Sequence, residues 1–174
     1  MNTWTASKIK ACKGQHKIVC LTAADWLTAR LLDGAGINLV LVGDSLAMTV
    51  LGYDTTLPVT LEEMLHHTKA VARGVTEALV VADMPFLSYQ VSARDAIRNA
   101  GRFIKEARAG AVKIEGGAFR APVVRALVQN GIPVLGHIGL TPQSINAMGG
   151  YKVQGRTSAQ VRKLVKDARA LEKA

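Results

Sequence analysis

The sequence predicts an α/β fold organised around a parallel sheet. Two observations carry that expectation. Short apolar runs, Ile18–Leu21, Leu39–Val42, Leu79–Ala82, Ala111–Ile114 and Pro133–Leu135, recur along the chain. Each is too short for a helix and lacks polar alternation, as strands covered on both faces do. Between them lie longer stretches with helix start and stop signals, so the order β-α repeats five times.

The elements follow in turn. Ile18–Leu21 and Leu39–Val42 read as the first two strands. Thr60-Leu61-Glu62-Glu63 has capping-box spacing for the next long helix, which Gly74 closes. After Leu79–Ala82, Ser92 and Asp95 start a helix that runs toward Gly110. After Ala111–Ile114, a helix spans about 118–129, and Asn130-Gly131 supplies a left-handed stop. A last helix from about Ala159 gathers Val161, Leu164, Val165, Ala168 and Leu171 on one face. Two connections exceed what such units need: Gly43 to about Val59, and Gly136 to Thr157 with Gly139, Gly149, Gly150 and Gly155. Both follow a strand's C-terminal end, where α/β folds bind ligands, so they read as substrate loops.

Composition limits the function. With 174 residues, 49% hydrophobic and 20% charged, the chain has material for one core, and disorder is disfavoured. The net charge of +9 would suit a polyanion, but its distribution argues against that. Residues 1–20 net +4 and residues 152–174 net +5, whereas 21–151 hold eleven charges of each sign. Nucleic-acid binding is therefore disfavoured for the body of the domain. Cys12 and Cys20 imply no disulfide framework, and a reducing cytoplasm is the simplest compartment. Neither a secretory signal nor a membrane span is expected.

Three acids hold equivalent positions. Asp44, Asp83 and Glu115 each follow an apolar run, so parallel strands would bring all three to one rim. Any one alone could be a helix N-cap. Three in register point instead to an all-oxygen site for a hard cation such as Mg²⁺. Lys113 shares a strand face with Glu115 and lies in an apolar strand. It serves either as an ion-pair partner of the acids or as a cation for a substrate carboxylate, and the two are compatible. His137 follows the fifth run at the same rim, as a ligand contact or a hydrogen-bonded structural residue. Ser45 could offer a hydroxyl to the same ligand or cap a turn. His66 and His67 are assigned no role, and Lys152 and Arg156 read as solvated loop charges.

Several segments resemble ketopantoate hydroxymethyltransferase. They are Val42-Gly43-Asp44-Ser45-Leu46, Leu57-Pro58-Val59-Thr60, Ala82-Asp83-Met84-Pro85-Phe86, Val112-Lys113-Ile114-Glu115-Gly116-Gly117, the run Gly136 to Ser144, and the run Gly149 to Arg156. The resemblance implies a (β/α)₈ TIM barrel of the phosphoenolpyruvate-mutase type, of which residues 1–174 would be about the first five βα units, one incomplete barrel domain. It implies hydroxymethyl transfer from 5,10-methylenetetrahydrofolate to 3-methyl-2-oxobutanoate, giving 2-dehydropantoate. By the same resemblance Asp44, Asp83 and Glu115 surround Mg²⁺, while Asp44, Ser45, Asp83, Lys113 and His137 contact or approach the keto acid. The family's proton acceptor, a glutamate ending the sixth strand, would lie beyond Ala174, so no catalytic base is assigned and little turnover is expected of this chain alone. A homo-oligomer, decameric in the family, is implied. The alternatives are a catalytically inert interaction module and one half of a split enzyme.

Overall fold

The computed structural model describes residues 3–174. Its centre is a five-stranded parallel sheet in the order β1-β2-β3-β4-β5. The strands are β1 (Cys20–Thr22), β2 (Leu39–Val42), β3 (Leu79–Asp83), β4 (Ala111–Glu115) and β5 (Val134–His137). Helices α2 (Trp26–Gly34), α3 (Leu46–Thr49), α4 (Leu61–Gly74), α5 (Ala93–Lys105), α6 (Ala121–Gln129), α7 (Ile145–Met148) and α8 (Ser158–Lys173) fill the connections. The predicted strands all form. The first and fifth sit one or two residues later than the apolar runs, because pairing follows the register of neighbouring strands rather than local hydrophobicity.

Register explains where polar residues go. Side chains alternate across a strand, and paired residues of parallel strands share a face. One face carries Val40, Val42, Val80, Ala82, Val112 and Ile114, buried under the helices with Val71, Phe103 and Leu127. The other carries Leu39, Leu79, Val81 and Ala111 near the strands' N-terminal ends. Farther along that second face the partners become Asp83 opposite Lys113, and Glu115 opposite His137. Each of β3 and β4 thus runs from apolar to charged along one line. Helix α1 (Ala6–Ala11) was not expected from the sequence. Its Ala6 and Ile9, with Trp4, seal the apolar end, held by a bond from the Trp4 N–H to the Glu77 carbonyl.

Helix boundaries follow local chemistry. Thr60 and Glu63 form the predicted capping box, and Thr157 with Gln160 forms a second. Ser92 accepts from the Asp95 N–H as predicted, but α5 stops at Lys105, well short of Gly110. The helix expected over 118–129 opens with a 3₁₀ turn at Ala118–Arg120. Gly131, with φ +76°, supplies its left-handed stop, whereas Asn130 stays at φ −96°.

Gly74 closes α4 as expected, and a Cβ there would lie 2.7 Å from the Trp26 carbonyl oxygen, so its smallness also lets α4 cross α2. One expectation needs correction. The inward face of α8 is Leu164, Asp167 and Leu171, whereas Val161, Val165 and Ala168 are exposed. Asp167 takes an apolar position because its carboxylate accepts from the Ala118 N–H at 2.9 Å and pairs with Lys163 at 2.8 Å. Asp33, at the end of α2, does similar work. It accepts from the N–H groups of Thr76, Glu77 and Ala78 and from the Thr76 hydroxyl. Burial raises its pKa, but these donors outweigh burial and hold it below the usual carboxylate value. Among the described residues no helix is long and apolar enough to cross a membrane.

Candidate functional site

The charged end of the second sheet face is the candidate site. Asp83 and Glu115 close β3 and β4 and are almost fully buried. Asp44 follows β2 after Gly43, where its own N–H donates to Asp83 Oδ2 at 3.0 Å. The Lys113 ammonium, also buried, lies 3.0 Å from Asp83 Oδ1 and 3.8 Å from Glu115 Oε1. His137 Nδ1 sits 3.2 Å from Glu115 Oε1 and 3.3 Å from Lys113 Nζ. That nitrogen accepts from the ammonium, and its approach to Glu115 Oε1 is not aligned as a hydrogen bond. Lys113 is therefore an ion-pair partner of the acids, the first of its two expected roles.

Electrostatics at the site are unbalanced. Burial, then the Asp83 carboxylate, pushes the Asp44 pKa up to about 7. Burial also raises Asp83, against the opposing pull of Lys113. Three acids face one ammonium, so the cluster is short of positive charge whenever the acids ionise. Asp83 Oδ1 and Glu115 Oε1 are buried with no aligned hydrogen-bond donor. Lys113 approaches both without meeting either in a well-directed bond.

The chemistry of this donor set fits a hard divalent cation: buried carboxylates, two unmet oxygens and a charge deficit. The three carboxylates expected around such an ion do not, however, converge as one ready-made ligand group. Among the described residues no group of three His, Cys, Asp or Glu side chains is spaced to hold a metal ion. The physical reason is that Lys113 stands between Asp83 and Glu115, while Glu115 Oε2 accepts from the Gln143 N–H at 3.0 Å. Mg²⁺ is commonly held by one or two carboxylates plus water and substrate oxygens, so an open set of this kind still fits it.

Sequence reasoning left two residues without a role. Gln143 lies on a 3₁₀ turn (Pro142–Ser144) after β5 and is buried against the acids. Tyr89, fully buried after β3, accepts from the Glu115 N–H at 3.0 Å and donates to Gln143 Oε1 at 2.7 Å. Burial raises the Tyr89 pKa, so its hydroxyl stays protonated and able to donate. Gln143 stands within the Gly136 to Ser144 run, but nothing local marks a loop glutamine as buried. Neither residue carries the charge that singled out the acids.

The other candidates divide. Ser45 is exposed, makes no capping bond, and lines a small cleft of about 210 Å³ with Thr22, Asp25 and Thr49. Its hydroxyl is therefore not the turn cap. His67 ties α4 to the β1–α2 loop through the Ala24 carbonyl at 2.7 Å, a structural bond. His66 is exposed. Lys152 and Arg156 are exposed on the predicted long loop and border an open hollow of about 600 Å³. The same loop reaches over to α3, where the Tyr151 hydroxyl meets Met48 Sδ at 3.7 Å.

Comparisons with known proteins bear on the chain's family and fold. Residues 3–174 match the family model for ketopantoate hydroxymethyltransferase. The chain is 61% identical over 171 residues to a 3-methyl-2-oxobutanoate hydroxymethyltransferase of Clostridium botulinum, covering 98% of this chain and 62% of that protein. With the protein of the same name from Koribacter versatilis it shares 57% identity over 171 residues, covering 98% and 58%. The chain thus spans about three-fifths of the length of these relatives. Among solved structures, phosphonopyruvate hydrolase superposes with a TM-score of 0.71 at 15% identity, covering 99% of this chain and 60% of the other. A complex of phosphonopyruvate hydrolase with oxalate and Mg²⁺ gives 0.70 at 14% identity, covering 97% and 60%. A 2,3-dimethylmalate lyase of the PEP mutase/isocitrate lyase superfamily gives 0.65 at 19%, covering 98% and 59%. These similarities show the fold alone: five βα units arranged as in part of an α/β barrel.

Proposed function

Because the chain belongs to the ketopantoate hydroxymethyltransferase family, we propose that its charged rim binds 3-methyl-2-oxobutanoate beside Mg²⁺. The reaction so served is hydroxymethyl transfer from 5,10-methylenetetrahydrofolate, giving 2-dehydropantoate. The observation that carries the reading is one buried ammonium, Lys113, set among three buried carboxylates at the C-terminal ends of parallel strands. Ligands bind at that end of such folds.

Asp44, Asp83 and Glu115 would surround the cation, one or two of them directly and the rest through water. When bound, it supplies a Lewis acid for the charge that develops on a keto oxygen. Lys113 offers a positive charge already fixed in place for the substrate carboxylate, so little reorganisation is needed on binding. His137, partly exposed beside Lys113 and Glu115, borders the same space. Ser45 presents a hydroxyl not used for capping, next to Asp44. Tyr89 and Gln143 fill the floor with satisfied polar groups and keep water from the buried carboxylates. These residues form a binding and charge-stabilising set, and no proton acceptor is assigned among them.

Calorimetric titration of the chain with 3-methyl-2-oxobutanoate tests the reading. Binding is expected with Mg²⁺ present, and is expected to weaken when Mg²⁺ is withdrawn or when Lys113→Met is introduced. Equal affinity in all three conditions would overturn it.

A further inference from the structure

Gln143 makes more hydrogen bonds at the rim than any acid there, and its side chain has no free valence. Its amide nitrogen donates to Asp44 Oδ2 at 2.8 Å and to the Met84 carbonyl at 2.9 Å. Its amide oxygen accepts from the Tyr89 hydroxyl at 2.7 Å and from Gln90 Nε2 at 3.1 Å. Its backbone N–H donates to Glu115 Oε2 at 3.0 Å. Two protons and two lone pairs are all a primary amide has, so the side chain is fully satisfied. The orientation is also unique. Turning the amide over would set its oxygen against Asp44 and the Met84 carbonyl, and its NH₂ against the NH₂ of Gln90.

One residue on the loop after β5 therefore fixes a carboxylate oxygen from the β2 end and another from the β4 end. The residue is 6% exposed, and simple packing at such a position would need no amide. A donor to one carboxylate oxygen fixes the carboxylate's rotation and leaves its other oxygen oriented, as outer partners of metal ligands do.

We infer that Gln143 is a positioning residue for the cation site, orienting Asp44 through its side chain and Glu115 through its backbone. The inference rests on the divalent-cation reading above. Tyr89 belongs to the same chain of contacts, since its hydroxyl holds the Gln143 oxygen.

The test is titration of the 174-residue chain with Mg²⁺ by calorimetry, repeated with Mn²⁺ followed by electron paramagnetic resonance, alongside a circular dichroism melt of each variant. Gln143→Met keeps length and apolar bulk but removes both donors. Its Mg²⁺ dissociation constant is expected to rise roughly 10- to 100-fold in protein that still melts cooperatively. A folded Gln143→Met that melts earlier but binds Mg²⁺ within about twofold of the parent would overturn the inference, because a mere loop brace moves the melt and not the affinity. If that variant does not fold, Tyr89→Phe decides. It keeps the ring and removes the hydroxyl, and a loss of roughly three- to tenfold in Mg²⁺ affinity is expected; no loss would overturn the inference. Where both fold, the double variant should bind no worse than Gln143→Met alone, since the two act through one contact; additive losses would contradict this. A parent chain that binds neither ion overturns the cation reading itself, which a silent Gln143 variant does not.

Discussion

Replacing Lys113 with methionine removes the one ammonium among the buried acids while nearly conserving volume. That ammonium stands 3.0 Å from Asp83 Oδ1 and 3.8 Å from Glu115 Oε1. At an effective dielectric of about 20 these separations correspond to gross attractions of about 5 and about 4 kcal/mol. The cost of burying the ammonium offsets much of this, and removing one partner of such a buried pair typically costs about 3–5 kcal/mol. The loss must depend on pH. Asp83 already has a folded-state pKa above its unfolded value, and without Lys113 it rises further. A carboxylate raised by folding binds its proton more tightly in the native state, so native stability falls as pH rises above the unfolded value. Urea unfolding of Lys113→Met should thus show a larger deficit at about pH 8 than at about pH 5, because proton uptake by Asp83 relieves the unpaired charge as pH falls. Adding Asp83→Asn should recover part of the loss at the higher pH. A variant within about 1 kcal/mol of the parent at about pH 8, or equally destabilised at both pH values, would refute this reasoning.

Further outcomes follow from the same structure. With a pKa raised from 3.8 to about 7, Asp44 makes native stability fall by about 4 kcal/mol between roughly pH 4 and pH 7. Asp44→Asn should flatten that slope in urea titrations, and an unchanged slope would assign it to other groups. Gly74→Ala sets a methyl 2.7 Å from the Trp26 carbonyl oxygen. It should cost about 1–3 kcal/mol in chemical unfolding by forcing α2 and α4 apart, whereas a neutral result would mean the crossing relaxes freely. Asp33→Ala strands the N–H groups of Thr76 and Glu77 that the carboxylate now receives. A loss of about 3–5 kcal/mol is expected, with faster hydrogen exchange at residues 76–78, and full protection there would argue against the latch.

How much of this was legible in the sequence depends on how local the signal was. The strands were legible because Leu39–Val42 and Ala111–Ile114 bury both faces, and an unbroken apolar run records that directly. The acids were legible because Asp83 and Glu115 end such runs, so charge appears where hydrophobicity stops. Their mutual geometry was not. Spacing along the chain offers Lys113 as a partner of the acids but does not say that it stands between Asp83 and Glu115. Helix α1 carries three of its six residues as alanine or isoleucine between lysines, and it is fixed by packing under the sheet rather than by its own pattern. Gln143 and Asp167 were missed for one shared reason. Each is a polar residue whose burial is set by distant partners, the Asp44 carboxylate in one case and the Ala118 N–H in the other.

The rim's proposed task is most directly tested by a crystal structure of the chain soaked with Mn²⁺ and oxalate, with the anomalous signal used to place the ion. The expected map has one peak bounded by Asp44, Asp83 and Glu115, with an oxalate carboxylate against the Lys113 ammonium. A peak elsewhere, or oxalate bound away from Lys113 with the rim empty, would contradict it.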